Sequence, residues 1–286
     1  MHKSILIIMS VMLVSAGLYG YDDYFEEITE NFEVSGDRPL EVILDVDAGE
    51  VLVDRSDNAL KGSLQMKFNS DQYRTKIDYD QDKNRLFIRL DKRSWYKWSN
   101  NSDDENYSYC HLSLPFKAVL LLDTRVKAGE VTLKLGGLSI QEFSLNNWAG
   151  EVRVSFDEPN LTVMDFMDID ARIGEVQLLR LGNARFLKAD INGGIGELYA
   201  EFTGLFETDS RAKVDLDIGE ASIVLPENLA IRMHVGGSFG FLSHKDIDHS
   251  LYKRGRYYYS EDYDEHDQRL SLRISTGLGE LRIDRE

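Results

Sequence analysis

Glutamate recurs along this chain at intervals that would stack carboxylates. Glu130, Glu151, Glu175, Glu197 and Glu220 each follow a glycine, and the successive spacings are 21, 24, 22 and 23 residues. If each Gly-Glu pair opens one strand of a stack, neighbours stand ~4.8 Å apart and the row extends ~19 Å. Each neighbouring pair then repels by roughly 0.9 kcal/mol in water. Two readings stand for such a row. It is a track for divalent cations or a cationic ligand, because hard cations take clustered oxygen ligands. Alternatively it is an exposed corner where any polar residue serves. The dense Gly/Asp nonapeptide of calcium-binding β-rolls is absent.

Aromatic side chains gather in two polar stretches. Trp95, Tyr96, Trp98 and Tyr107 stand near Lys92, Arg93 and Lys97 within residues 91–109. Tyr252, Tyr257, Tyr258 and Tyr259 stand within residues 244–267, beside Lys253, Arg254 and Arg256 and ahead of an acidic run at 261–267. Aromatics in polar loops stack on sugar rings or anchor a protein partner. They also fold back to cover an open sheet edge. Both stretches leave the same stack, so one shared aromatic surface is the expectation. The flanks of the first, 85–90 and 109–114, read as a hairpin with a long polar tip. The second reads as a self-complementary hairpin or a docking loop. It also holds His244, His249 and His266, whose spacing matches no zinc signature. No Ser-His-Asp order, phosphate loop or dinucleotide fingerprint is present, so no catalytic residue and no cofactor is assigned.

Elements able to position these groups must come from a chain of 286 residues, 42% hydrophobic, with 33 Lys and Arg against 50 Asp and Glu. The net charge of −17 repels phosphate backbones and anionic headgroups, which argues against nucleic acid as a partner. The single cysteine, Cys110, excludes an intrachain disulfide and any cysteine-cluster metal site. Residues 1–20 have the layout of a secretory signal peptide: Lys3, an apolar run over 5–14, then Ser15, Ala16, Gly17 and Gly20. Cleavage after Ala16 or Gly20 is expected, with an uncleaved anchor as the alternative. After cleavage no stretch of ~20 apolar residues remains to span a membrane. In the acidic segment 21–36, Tyr21, Phe25, Ile28 and Phe32 share one helical stripe, which reads as a cap on the stack or a frayed leader.

The Gly-Glu pairs begin at Gly49, Gly129, Gly150, Gly174, Gly196, Gly219 and Gly279. Two and four places after each glycine the residue is apolar, as in Val176 and Leu178 or Leu198 and Ala200, with polar residues between. That is the period of a half-buried strand. Before the glycine the apolar positions lie one and five back, as in Ile173 and Ile169 or Ile195 and Ile191. Inward parity therefore flips at glycine, which acts as a structural turn or bulge between short strands. A further step of 21 from Gly219 reaches Gly240, read as a degenerate rung. The expected fold is all-β: a single-handed parallel β-solenoid of ~22-residue rungs over residues 37–286, with insertions at about 60–117 and 243–268.

The recurrent unit, seen as Ile-Asp-Ala-Arg-Ile-Gly-Glu-Val-Gln-Leu (169–178) and Val-Asp-Leu-Asp-Ile-Gly-Glu-Ala-Ser-Ile (214–223), resembles the toast-rack putative-adhesin family. That family is related to the C-terminal domain of LiaF-type proteins of the cell-wall antibiotic response. The resemblance covers roughly residues 40–283. It implies a β-rich fold and an adhesin-like or envelope-stress role, and it brings no catalytic residue. The chain lacks the multi-helix membrane domain of LiaF-type proteins. The functional expectation is an exported, non-enzymatic binding or structural protein of the cell envelope whose partner is an envelope protein or glycan. A polysaccharide-active β-helix enzyme and an accessory protein of envelope-stress signalling are the alternatives.

Overall fold

The computed structural model describes residues 25–34, 38–93, 107–237, 243–261, 263–264 and 268–286. The leader, Tyr21, Trp95, Tyr96, Trp98, Gly240 and His266 lie outside the described residues. The strands are β1 (Phe25–Glu33), β2 (Leu40–Arg55), β3 (Lys61–Asn69), β4 (Tyr73–Asp80), β5 (Arg85–Lys92), β6 (Ser108–Leu114), β7 (Val119–Lys134), β8 (Ser139–Ser155), β9 (Met164–Leu179), β10 (Phe186–Glu201), β11 (Ser210–Leu225), β12 (Ala230–Gly237), β13 (Ser243–Ile247), β14 (Leu251–Arg254), β15 (Tyr257–Ser260) and β16 (Arg269–Arg285). The chain is nearly all β, with one 3-10 turn (Leu181–Ala184) and no α-helix among the described residues. The strands make one long, mostly parallel sheet.

Alternation of apolar and polar residues explains the long strands, but each Gly-Glu lies inside a strand rather than between two. β2, β7, β8, β9, β10, β11 and β16 run 16 or 17 residues straight through it. They pair in parallel with glycine facing glycine: Gly49, Gly129, Gly150, Gly174, Gly196, Gly219 and Gly279 stand in one row. Each has φ between +128° and +144°. The bend at glycine gives every long strand two arms, and the buried face switches parity between them. The core is one continuous cluster fed by both arms, for example Ile169 with Val176 and Ile191 with Leu198. Cys110 is fully buried in it, which pushes its thiol up to about 12 and removes it from thiolate chemistry at neutral pH.

Three further expectations need correction. The residue one place before glycine is not inward. In β9 the buried run Met167, Ile169, Ala171 is followed by four outward residues, Arg172, Ile173, Gly174 and Glu175, before Val176. Ile173, Ile195, Ile218 and Leu278 are therefore exposed, aligned strand to strand as an apolar ridge. The bend is spread over four residues, so the parity switch places this position outside.

The flanks of the first insertion are not a hairpin. β5 lies parallel to the first arm of β2, and β6 lies parallel to its second arm. Together they continue the stack as a long strand divided at its corner, where Ser108 faces Gly49 and donates to the Ala48 carbonyl at 2.5 Å. The C-terminal strand β16 slots between β11 and β12, so Gly219 faces Gly279; the rung read at Gly240 lies outside the described residues. Finally, residues 25–33 form a strand rather than a helix. A nine-residue helix is marginal alone, whereas β1 pairs antiparallel with β3 along its whole length and Phe32 lies over Gly62. This outer strand carries Glu26, Glu27, Glu30 and Glu33, charges of the kind that disfavour edge-to-edge pairing.

The corner makes a sharp contrast between two isoleucines of β10. Ile191 is 1% exposed and Ile195 is 49% exposed. Ile191→Ser is expected to cost about 3 kcal/mol through a cavity and a buried hydroxyl, and Ile195→Ser to stay within about 0.5 kcal/mol of wild type. Urea titration of both variants checks this; equal losses would put the ridge inside the core.

Candidate functional site

The strand register assembles the glutamates. Glu130, Glu151, Glu175, Glu197 and Glu220 face one another across adjacent strands, with Glu50 and Glu280 extending the row at its ends. All are exposed, so the side chains can splay and relieve their repulsion in water. Among the described residues no group of three or more His, Cys, Asp and Glu is arranged to hold a metal ion. The row runs beside the apolar ridge, whose other flank carries exposed Trp148 with the Arg172 guanidinium 5.2 Å from its ring centre.

The second insertion begins with β13, parallel to the second arm of β16, and continues as a hairpin. β14 and β15 pair antiparallel around a two-residue turn, with Gly255 at φ +67° in the first turn position, where type II′ hairpins place glycine. β15 pairs with the free side of β12, and the Ile231 amide donates to Ser260 Oγ at 3.0 Å. Alternation then divides the tyrosines. Tyr258 packs against the core, flanked by Lys245 and Lys253 at 5.9 and 5.6 Å from its ring. Tyr252, Tyr257 and Tyr259 take the other face: Tyr252 stacks on Tyr259 at 5.9 Å, and Tyr259 meets Tyr263 edge-on at 5.1 Å. His234 packs edge-on against Tyr257 at 5.6 Å, and Arg254 lies 4.8 Å from the Tyr259 ring. The hairpin thus covers an edge with one face and presents aromatics with the other.

Tyr107 lies just before β6, at the opposite end of the stack. Seven long strands separate β6 from β12, a span of roughly 40 Å, so Tyr107 does not share a surface with the hairpin tyrosines; Trp95, Tyr96 and Trp98 lie outside the described residues. Burial first and the Glu50 charge second hold the Tyr107 hydroxyl above its usual range.

One polar cluster had no sequence signal. Asp54 on β2 sits beside His111 and Ser113 on β6, brought together by parallel pairing. His111 Nε2 lies 2.9 Å from Asp54 Oδ2, and Ser113 Oγ donates to Asp54 Oδ1 at 2.7 Å. The same ring nitrogen faces Ser113 at 3.3 Å. A hydrolase triad needs opposite ring nitrogens on the acid and the nucleophile. With one nitrogen shared and the serine proton already on aspartate, this cluster is a polar tie between strands. The spacing of 57 residues between Asp54 and His111 hid it.

Among the described residues no helix is long and apolar enough to cross a membrane. No curated protein matches the sequence. Among solved structures the chain is similar to a putative cell adhesion protein from Clostridium sporogenes, at 13% identity and TM-score 0.46 over 91% of this chain and 100% of that one. It is similar to a putative adhesin from Bacteroides fragilis, at 14% identity and TM-score 0.31 over 90% and 97%. It is also similar to a putative lipid binding protein from Parabacteroides distasonis, at 12% identity and TM-score 0.27 over 93% and 98%. The family model described as the N-terminal domain of toast_rack, DUF2154, matches residues 22–179. With more than half of its length matched by that model, the chain belongs to the toast-rack family.

Proposed function

We propose that this protein is an exported, non-enzymatic, adhesin-like binding protein of the cell envelope, whose partner is an envelope protein or glycan. Its scaffold on this reading is a single-handed parallel solenoid of ~22-residue rungs, which holds binding groups rigidly. The observation that carries the reading is the outer face of the β14–β15 hairpin, where Tyr252, Tyr257, Tyr259 and Tyr263 form one contact chain among arginines. Amphipathic rings held by packing present large contact area at low entropic cost. The signal-peptide layout of residues 1–20 directs the chain to the periplasm or the cell surface.

Screening the purified chain against immobilised envelope glycans and envelope protein fractions tests this. Tyr252→Ala with Tyr257→Ala is expected to lower retention at least tenfold while the melting temperature stays within a few degrees, because both rings are on the outer face. Wild-type retention by the double variant would remove the hairpin from recognition.

A further inference from the structure

Seven lysine and arginine side chains, against two carboxylates, line one groove of a chain whose net charge is −17. The groove, about 1060 Å³, lies on the outward face of the first arms of β10, β11, β16 and β12, and the hairpin forms its wall. Register builds it in two rows. In the first, Lys188 faces Arg211, Arg211 faces Ser271, and Ser271 faces Arg232. Two residues further on, Asp190 faces Lys213, Lys213 faces Arg273, and Arg273 faces His234. Arg256 and Arg269 complete the cationic lining.

Five of these seven cations are not spent on the chain's own described carboxylates. Lys188 and Lys213 pair with Asp190 and Asp215. Arg211, Arg232, Arg256, Arg269 and Arg273 are exposed and form no ion pair among the described residues. Two of them are held by rings instead: Arg232 lies 5.0 Å from the Tyr257 ring centre, and Arg269 lies 5.4 Å from that of Tyr263. Charge on this outer face changes sign along the stack. On β9 the two rows continue as Phe166 and Asp168, with Asp170 two places on, and burial first, then Asp190 and Asp170, holds the Asp168 carboxyl above its usual range. The positive field is therefore local, and repulsion among arginines at strand spacing is relieved by an anion laid across them.

We propose that this groove binds a segment of carboxylated polysaccharide. Arg211, Arg232 and Arg273 would pair with its carboxylates, and Tyr257 and Tyr263 would carry its sugar faces. Guanidinium groups match carboxylates in planar, bidentate geometry, and tyrosine supplies the apolar face with a polar tip that sugars require. A uronate chain repeats its carboxylate once per sugar, a spacing of the same order as the strand repeat. The proposal rests on the aromatic-recognition reading above and names its ligand class.

Polygalacturonate is the probe, with its methyl ester as the uncharged match and single-stranded DNA as another polyanion, each titrated by calorimetry. Wild type is expected to bind polygalacturonate with an affinity that falls steeply as salt rises, and to bind the ester at least tenfold more weakly. Arg211→Glu with Arg273→Glu is expected to abolish binding. The same charge change at Arg153 and Arg282, exposed on second arms, should cost less than threefold. Equal loss from the two pairs would reduce the effect to net charge and overturn the proposal, as would equal groove-dependent binding of DNA. Binding that emerges only after Asp264, Glu265 and Asp267 are neutralised would make the groove a docking place for the chain's own acidic run, again overturning it. If polygalacturonate fails while the Tyr252/Tyr257 variant still loses an uncharged glycan or protein partner, the anionic ligand falls and the aromatic reading survives.

Discussion

Replacing Gly196 with valine is expected to destabilise the protein by at least about 3 kcal/mol and lower its melting temperature by about 10 °C. Two separate costs act at this position. Its φ of +144° lies where a residue with a Cβ is strained. In addition, a Cβ there would sit 1.9 Å from the Gly174 carbonyl oxygen on the adjacent strand, an atom pinned in the parallel ladder. The clash recurs along the stack, 1.9 Å at Gly174 and 1.8 Å at Gly219 and Gly279, so backbone cannot shift at one corner without disturbing the next. Two other glycines separate the costs. Gly255 has positive φ and nothing within 4 Å of the place a Cβ would take, so Gly255→Ala should cost only about 1 kcal/mol. Gly194 carries no positive φ, yet a Cβ there would meet the Arg172 carbonyl oxygen at 2.3 Å, so Gly194→Ala isolates the steric cost. Denaturant titration of the three variants should rank Gly196 worst. A wild-type melting temperature for Gly196→Val would mean that the corner has room, and the account of the bend would fall.

That stacking rule explains why so much of the scaffold could be read from the chain. A Gly-Glu pair every 21 to 24 residues, followed by apolar positions at plus two and plus four, encodes the register strand by strand, and Gly174 does face Gly150 and Gly196. What escaped was whatever depends on non-local order. Ile195 looks like Ile191 in sequence; only the four-residue width of the bend turns it outward. The flanks of 94–106 look like a hairpin because a divided long strand has the same composition, and only pairing to β2 distinguishes them. The basic groove has no linear signature at all. Arg273 stands between Lys213 and His234 because β16 enters between β11 and β12, which no spacing in the chain records. An average charge of −17 hid it further, since composition says nothing about where the cations collect.

The second large effect comes from a pair of asparagines that burial alone would treat alike. Asn160 and Asn147 are both 0% exposed. Asn160 sits in the connection between β8 and β9 and closes three bonds: it accepts from the Ile140 amide at 2.8 Å and donates to the Ile140 and Thr162 carbonyls at 2.7 and 2.8 Å. Its own amide donates to the Asn183 carbonyl at 2.7 Å in the next connection, so one residue ties three levels of the stack. Asn160→Ala strands the buried Ile140 carbonyl and amide and the part-buried Thr162 carbonyl, and leaves a cavity. At about 1–3 kcal/mol for each unsatisfied group, with partial relief by water, a loss of about 3–5 kcal/mol is expected. Asn147 occupies an inward position of the first arm, between Val126 and Ala171, and neither its Nδ2 nor its Oδ1 has a partner among the described residues. Replacing it by valine, the residue at the equivalent place in β7, removes a costly polar group from an apolar row. Asn147→Val is therefore expected to leave stability unchanged or raise it by about 1 kcal/mol. Chemical denaturation of the two variants should move the midpoint in opposite directions, or at least move it down for Asn160 alone. A comparable fall in both would show that Asn147 is engaged in the fold and that its row tolerates no apolar replacement.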